Sequence, residues 1–244
     1  MSASPPQPKR FGLARVLSKM GLASRTEAAR LIEAGSVQVN GKTVRNPEHP
    51  VRMEADTVSM HGAVAQPKAF MALMLNKPRG MLTTRSDEKH RPTVYDCLPK
   101  DLPWLAPVGR LDMASEGLLL FCNDPKWAAG LTDPAAGPDK TYHVQIDRLP
   151  DDDLLRALRT GRESDVGFLA VKRAVVLRQG DRNAWLEIVL DEGRNRHIRR
   201  LLQAFDINVL RLVRTAIGGL ALGDLPKGRY RELSAAEVAL IDDA

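Results

Sequence analysis

The sequence predicts an α+β protein: a small helix-helix-hairpin unit followed by a larger domain on a mixed, mainly antiparallel β-sheet flanked by helices. Three observations carry this. Two short amphipathic stretches run directly into a two-strand alternation closed by Asn40-Gly41. A stretch without strong periodicity, 63–69, carries a proline and follows Gly62. Beyond it, apolar strand candidates and helical stretches mix without the regular strand-helix alternation of a doubly wound fold.

The first ten residues, MSASPPQPKR, are too polar and proline-rich to offset their ordering entropy and read as a flexible basic arm. From Phe11 the pattern turns helical, with Leu13, Val16, Leu17 and Met20 at spacings of three and four and Gly21 placed to end the helix. Ser24 and Glu27 form a capping box for a second helix with Ala28, Leu31 and Ile32 as its apolar stripe and Gly35 at its end. Val37-Gln-Val39, Asn40-Gly41 and Lys42-Thr-Val44 then read as strand, type I′ turn and strand. This gives a unit over 11–62, a linker over 63–69, a main domain over 70–234 and a tail over 235–244. In the main domain the strand candidates are Phe70 to Leu75, Leu118 to Phe121, Thr141 to Ile146, Val171 to Leu177 and Ala184 to Leu190. Helical stretches fall around Lys126 to Leu131, Asp151 to Leu158 and Ile198 to Phe205.

Thirty-six basic against 30 acidic side chains give a net charge of +6 and a pI near 9.5, which favours a polyanionic partner. The five histidines are scattered, and Cys97 and Cys122 belong to no CxxC pair, so no metal site can be drawn; the thiols read as buried and reduced. No apolar run approaches the roughly 20 residues of a membrane span, and the N-terminus lacks a signal-peptide core, so a cytoplasmic location is expected.

Three constellations are suited to chemistry. Arg110-Leu-Asp112 lies in a loop before the apolar run Leu118 to Phe121, where a rigid strand can fix a carboxylate. By pattern alone Asp112 reads as an ordinary turn or cap aspartate before it reads as a catalyst. Between Asp191 and Arg214, Arg194, Arg196, Arg199, Arg200, Arg211 and Arg214 outnumber the acids. Arginine's planar fork suits phosphate or a buried ion pair, and Arg199, beside the stripe Ile198, Leu201, Leu202 and Phe205, wants an acidic partner for which Asp112 is a candidate. Tyr142 shares a strand face with Val144 and Ile146, as a core aromatic or as a stacking platform for a base. Arg15, Lys19, Arg25, Arg30 and Lys42 belong on the outer faces of the first unit, either as a solvated surface or as a grip on nucleic acid.

Taken together, these motifs resemble a known family. Gly21-Leu-Ala-Ser24 and the run from Arg25 to Lys42 look like an S4 RNA-binding domain. Leu75-Asn-Lys-Pro-Arg-Gly80, Val108-Gly-Arg-Leu-Asp112, Glu116-Gly-Leu-Leu-Leu120, Lys140-Thr-Tyr142 and the run Glu192 to Arg200 resemble the pseudouridine synthases of the ribosomal small-subunit type, a branch that includes large-subunit enzymes. Two positions depart from the pattern: within Asn123 to Asp139 an aspartate precedes proline where relatives often carry histidine, and His197 stands where glutamine is frequent.

The resemblance implies that Asp112 is the catalytic carboxylate, Tyr142 the ring packed on the target uracil and Arg199 the basic partner of the aspartate. It further implies RNA contacts from Arg15, Lys19, Arg25, Arg30 and Lys42, and from Arg110, Arg194, Arg196 and Lys77 along the cleft. The implied reaction isomerises a uridine of ribosomal RNA, free or in an assembly intermediate, without cofactor or metal, in a monomer that flips the nucleotide out. The rival from another class is a non-catalytic RNA-binding assembly factor of the same fold. A DNA-binding protein would carry a helix-turn-helix or similar reading head, and none stands out.

Overall fold

Local signals account for the first elements. The Ser24 side chain accepts a hydrogen bond from the Glu27 backbone N–H at 3.1 Å, opening one helix, and Asn40 and Gly41 both adopt positive φ (50° and 77°), closing the hairpin as a type I′ turn requires. The computed structural model describes residues 9–242, so residues 1–8 of the expected arm lie outside the described residues; Lys9 and Arg10 are exposed. The chain divides into two units: residues up to Met71 with two short stretches, 102–106 and 123–126, and the remainder.

The first unit contains β1 (Phe11–Gly12), α1 (Leu13–Lys19), α2 (Arg25–Glu33), β2 (Val37–Val39), β3 (Lys42–Thr43), β4 (Pro50–Val51), β5 (Val58–Met60) and β6 (Ala63–Val64). The expected start of the first helix at Phe11 is corrected: Phe11 and Gly12 pair with Val51 and Pro50, and the helix begins at Leu13. Leu13, Val16, Leu17, Ala28, Ile32, Val37, Val39 and Val58 form its core. The strands β3-β2-β5-β6 make a small sheet, so Ala63 and Val64, expected within the linker, extend the unit by one strand.

The second unit is built on a nine-stranded sheet. Its elements are β7 (Ala72–Lys77), a 3₁₀ turn (Val94–Cys97), β8 (Ala106–Val108), β9 (Glu116–Cys122), α3 (Pro125–Thr132), β10 (Lys140–Ile146), α4 (Asp152–Thr160), β11 (Arg162–Ser164), β12 (Gly167–Leu169), β13 (Arg173–Gln179), β14 (Ala184–Leu190), α5 (His197–Gln203), β15 (Val209–Ile217), β16 (Leu220–Ala221), β17 (Tyr230–Glu232) and α6 (Ala235–Asp242). The order is β13-β14-β10-β15-β9-β7-β17, with β16 on β15 and β8 on β9; β11 and β12 form a separate hairpin.

Every side chain of β7 and β9 is buried, as expected of central strands covered on both faces. Met74, Leu118 and Leu120 meet Trp127, Leu131, Val238 and Ile241 on one face. Residues 235–242, read from sequence as a tail, are therefore a helix with Ile241 buried.

The parallel contact between β9 and β15 is confined to Glu116 opposite Val213 and Gly117 opposite Arg214. Gly117 has φ +101°, and a Cβ there would lie 2.2 Å from the Arg214 carbonyl oxygen, so only glycine fits this approach. Beside it, the Glu116 carboxylate is almost fully buried and accepts from Arg211 Nε and Nη2, at 3.0 and 3.1 Å, and from the Lys227 ammonium. Burial pushes the Glu116 carboxyl upward, but these hydrogen bonds outweigh it and leave it below the ordinary range. Cys122 is buried as expected; Cys97 is only partly so.

Candidate active site

The loop from Gly109 to Ser115 joins β8 to β9 and carries Asp112, and its path is fixed through its main chain. The Ser115 N–H donates to the Asp112 carbonyl at 2.9 Å, and the Gly80 N–H donates to the Met113 carbonyl at 2.7 Å. The Thr83 hydroxyl donates to the Leu111 carbonyl at 2.7 Å. From below, the Lys77 ammonium donates to the carbonyls of Pro78 (3.0 Å), Asp112 (3.2 Å) and Ser115 (2.8 Å).

Lys77 is 0% exposed, which corrects its expected place among the RNA contacts. As the last residue of a fully buried strand, it spends its three donors on the loop instead. Burial lowers its pKa to about 8, against the opposing pull of Asp112 and Glu116.

Asp112 lines a cavity of about 410 Å³ lying wholly within the second unit. Arg110, Arg194, Arg196, Arg199 and Tyr142 line it as well. Arg110, Arg194 and Arg196 are exposed, whereas Tyr142, Lys140, Leu212, Arg214 and Ile217 are buried, so the cavity has an arginine rim and a largely apolar interior with two cations in it. Arg15, Lys19, Arg25, Arg30 and Lys42 are exposed on the first unit; Arg15 and Lys19 stand over the Phe11 ring, at 5.2 and 3.6 Å from its centroid.

The ion pair of Asp112 differs from the expected one. Its Oδ2 lies 3.5 Å from Arg196 Nη1, while the half-buried Arg199 donates to the main-chain carbonyls of Ala114 and Val209, each at 3.3 Å. The turn that opens α5 explains the exchange. Arg196 takes a left-handed conformation (φ 54°) as N-cap and is exposed, whereas Arg199, one helical turn on, points along the buried stripe and meets backbone before carboxylate. Burial, reinforced by neighbouring Arg196 and opposed by Asp112, lowers the Arg199 pKa. Arg199 thus braces the Asp112 loop at Ala114, between the Asp112 and Ser115 carbonyls that Lys77 holds.

His197 is buried and its Nε2 lies 2.8 Å from the Ala170 carbonyl, while Arg194 donates to the Phe168 carbonyl at 3.0 Å. The arginine turn is thereby tied to the β11–β12 hairpin, and burial lowers the His197 pKa. Thr83, Lys140 and Arg214 received no individual role from the sequence. Lys140 and Arg214 are cations at inward positions of β10 and β15, but the sequence marks a strand only from Thr141 and none over 209–217, so that signal was not available; Thr83 offered none.

Residues 72–204 match the model of the RNA pseudouridylate synthases, and residues 11–58 match the S4 domain. The chain is 37% identical to the ribosomal large subunit pseudouridine synthase B of Escherichia coli (strain K12), over 92% of this chain and 80% of that protein. It is 36% identical to an uncharacterized RNA pseudouridine synthase of Aquifex aeolicus (strain VF5), over 92% of this chain and 91% of that protein. A crystal structure of a pseudouridylate synthase superposes with a TM-score of 0.67 at 26% identity, covering 95% of this chain and 99% of that one. With an S4 domain at 11–58, the synthase model matched over 72–204 and relatives 36–37% identical over 92% of its length, this chain belongs to the family of RNA pseudouridylate synthases.

Proposed function

We propose that the protein isomerises a specific uridine of ribosomal RNA to pseudouridine with Asp112 as its catalytic carboxylate. The observation that supports this most is the anchoring of the Asp112 loop. Five groups from Lys77, Gly80, Thr83, Ser115 and Arg199 hold main-chain carbonyls between Leu111 and Ser115, leaving the carboxylate presented to the cavity. A fixed carboxylate is what either attack at ribose C1′ or removal of the C2′ proton needs, since both require a near-attack geometry.

In this reading the nucleotide is flipped from its stack, costing a few kcal/mol that backbone contacts offset. Arg110, Arg194 and Arg196 at the rim hold phosphates, and the Tyr142 ring packs on the uracil. Arg196 is the direct counter-ion of Asp112, and Arg199 positions the loop. Arg15, Lys19, Arg25, Arg30 and Lys42 grip folded RNA at a distance, largely by shape and charge. The C1′–N1 bond breaks, the base turns, C5 bonds to C1′ and the C5 proton leaves, so no cofactor or external group enters. The domain division is 11–62 for the RNA-docking unit, extended by β6, and 70–234 for catalysis, with the helix 235–242 completing the catalytic core. The enzyme acts as a monomer in the cytoplasm, where ribosomal RNA is assembled.

The test is tritium release from [5-³H]uridine-labelled ribosomal RNA, large-subunit transcript first, by the wild type and by Asp112→Asn. Release by the wild type alone supports the assignment. Tight RNA binding without release from either ribosomal RNA or from precursor particles would favour a non-catalytic assembly factor.

A further inference from the structure

Two buried cations inside the cavity form no ion pair among the described residues. Arg214 is 6% exposed and Lys140 8%; both line the cavity, on neighbouring strands β15 and β10. Arg214 Nε donates to the Leu118 carbonyl at 2.7 Å, but its buried Nη2 has no hydrogen-bond partner. Lys140 is depressed by burial and by the adjacent guanidinium, and the acids acting on it are Asp139 and Asp191. Asp139 is already bound to Lys172, at 2.7 Å, and Asp191 is exposed. A buried N–H group without an acceptor is destabilising unless a ligand completes it.

The sheet has been bent to put it there. Between Thr141 and Tyr142 the pairing with β15 slips by one residue, so that Ala216 faces Thr141 but Arg214 faces Tyr142. Such a bulge re-aims side chains. In regular pairing Thr215 would oppose Tyr142. Gly117 admits the Arg214 backbone to within the distance of a missing Cβ. Directly opposed residues on one face keep their Cβ atoms about 5 Å apart, so the Arg214 guanidinium belongs at the edge of whatever packs on the Tyr142 ring.

We infer that Arg214, assisted by Lys140, binds the carbonyl oxygens of the target uracil and stabilises the uracil anion released when the C1′–N1 bond breaks. This rests on the proposed pseudouridine synthesis. A backbone phosphate stays at the exposed arginine rim, and only the base of a flipped nucleotide reaches the buried interior. As the glycosidic bond breaks, its electron pair passes to N1 and spreads onto O2 and O4; the sugar carbon is left electron-poor, to be captured by Asp112 or relieved by loss of the C2′ proton. Cations fixed in a water-excluded site favour that charge distribution over the neutral base. The charge is consumed when C5 attacks C1′ and its proton leaves, so the same pair serves both halves of the reaction.

The experiment is a single-turnover reaction at saturating RNA, with an in vitro transcript of large-subunit ribosomal RNA carrying uridine or 5-fluorouridine, read by mass spectrometry as loss of the N1-linked nucleoside. C5 of 5-fluorouridine has no proton to release after bonding to C1′, so its product is completed by addition of water at C6. Arg214→Gln is expected to slow uridine conversion about 10²-fold with RNA affinity unchanged, and Arg214→Lys to recover part of the loss. Fluorine at C5 makes the departing anion more stable, so with 5-fluorouridine the loss narrows to roughly tenfold. Lys140→Gln, which leaves the Leu118 contact intact, follows the same pattern in smaller measure and carries the test if Arg214→Gln does not fold. Equal losses on both pyrimidines, or a loss of RNA affinity with an unchanged rate, would overturn the inference, the latter by assigning the pair to a phosphate. A wild type that converts neither pyrimidine in any ribosomal RNA fails at the proposed function itself, before the variants are compared, and the inference falls with it.

Discussion

The buried ammonium of Lys77 donates to the main-chain carbonyl of Asp112 at 3.2 Å, so a residue 35 positions away in sequence sets where the carboxylate stands. Lys77→Met keeps the length of the side chain and removes three hydrogen bonds, leaving three carbonyls without that donor. A stability loss of about 1–3 kcal/mol is expected from chemical denaturation. Turnover should fall further than the lost folded fraction accounts for, because the loop loses its floor.

Lys77 also makes stability depend on pH in a defined direction. Its pKa falls from 10.5 to about 8 on folding, so between those values the unfolded chain holds a proton that the folded chain has released. Stability from this group therefore rises as pH climbs through that window. The melting temperature of the wild type, measured relative to Lys77→Met, is expected to increase from pH 8 to pH 10; a flat or falling difference would refute the assignment.

Arg196 and Arg199 should separate in mutagenesis. Arg196 is exposed, and its ion pair with Asp112 contributes at most about 1 kcal/mol to stability, so Arg196→Gln is expected to lower turnover while leaving the melting temperature nearly unchanged. Arg199→Gln removes the contacts to Ala114 and Val209 and should lower both. Thermal melts alongside tritium release distinguish the two; matched losses of stability would mean that Arg196 is structural as well.

Gly117→Ala is expected to cost at least about 3 kcal/mol, since the added methyl meets a backbone oxygen at 2.2 Å and the backbone angle is strained for any L side chain. Denaturant midpoints measure it. Gly41→Ala, at a positive φ but with open space around it, should cost only about 1 kcal/mol.

Replacing Arg25, Arg30 or Lys42 singly by glutamine should weaken RNA binding across all sequences. Each residue that neutralises a phosphate should lower the slope of log affinity against log salt by about one. Filter binding over a salt series reads this. An unchanged slope would return that residue to the solvated surface.

The parts legible in sequence were those fixed by local chemistry. Ser24 and Glu27, Asn40-Gly41 and the apolar runs of β7 and β9 each announce their element through neighbours a few residues away. Tyr142, Val144 and Ile146 likewise share one buried face, as their alternation indicates. The strand β15 was hidden because Arg211 and Arg214 interrupt its apolar alternation, and their partners, Glu116 and the Leu118 carbonyl, lie about 95 residues away. The same distance effect governed the site. The motif carried Asp112, Arg196 and Arg199 together, but which arginine meets the carboxylate depended on the left-handed turn at Arg196, and no spacing rule encodes that turn.

The anchors of the Asp112 loop all grip the main chain, and none depends on the carboxylate. Position 112 can therefore change its side chain without moving its neighbours, and an Asp112→Asn protein should keep the cavity, the arginine rim and the docking unit while losing the reaction. Such a protein is a trap: mixed with cellular RNA it should hold the transcript that the active enzyme would have released, and sequencing what it retains would identify the uridine it was built to find.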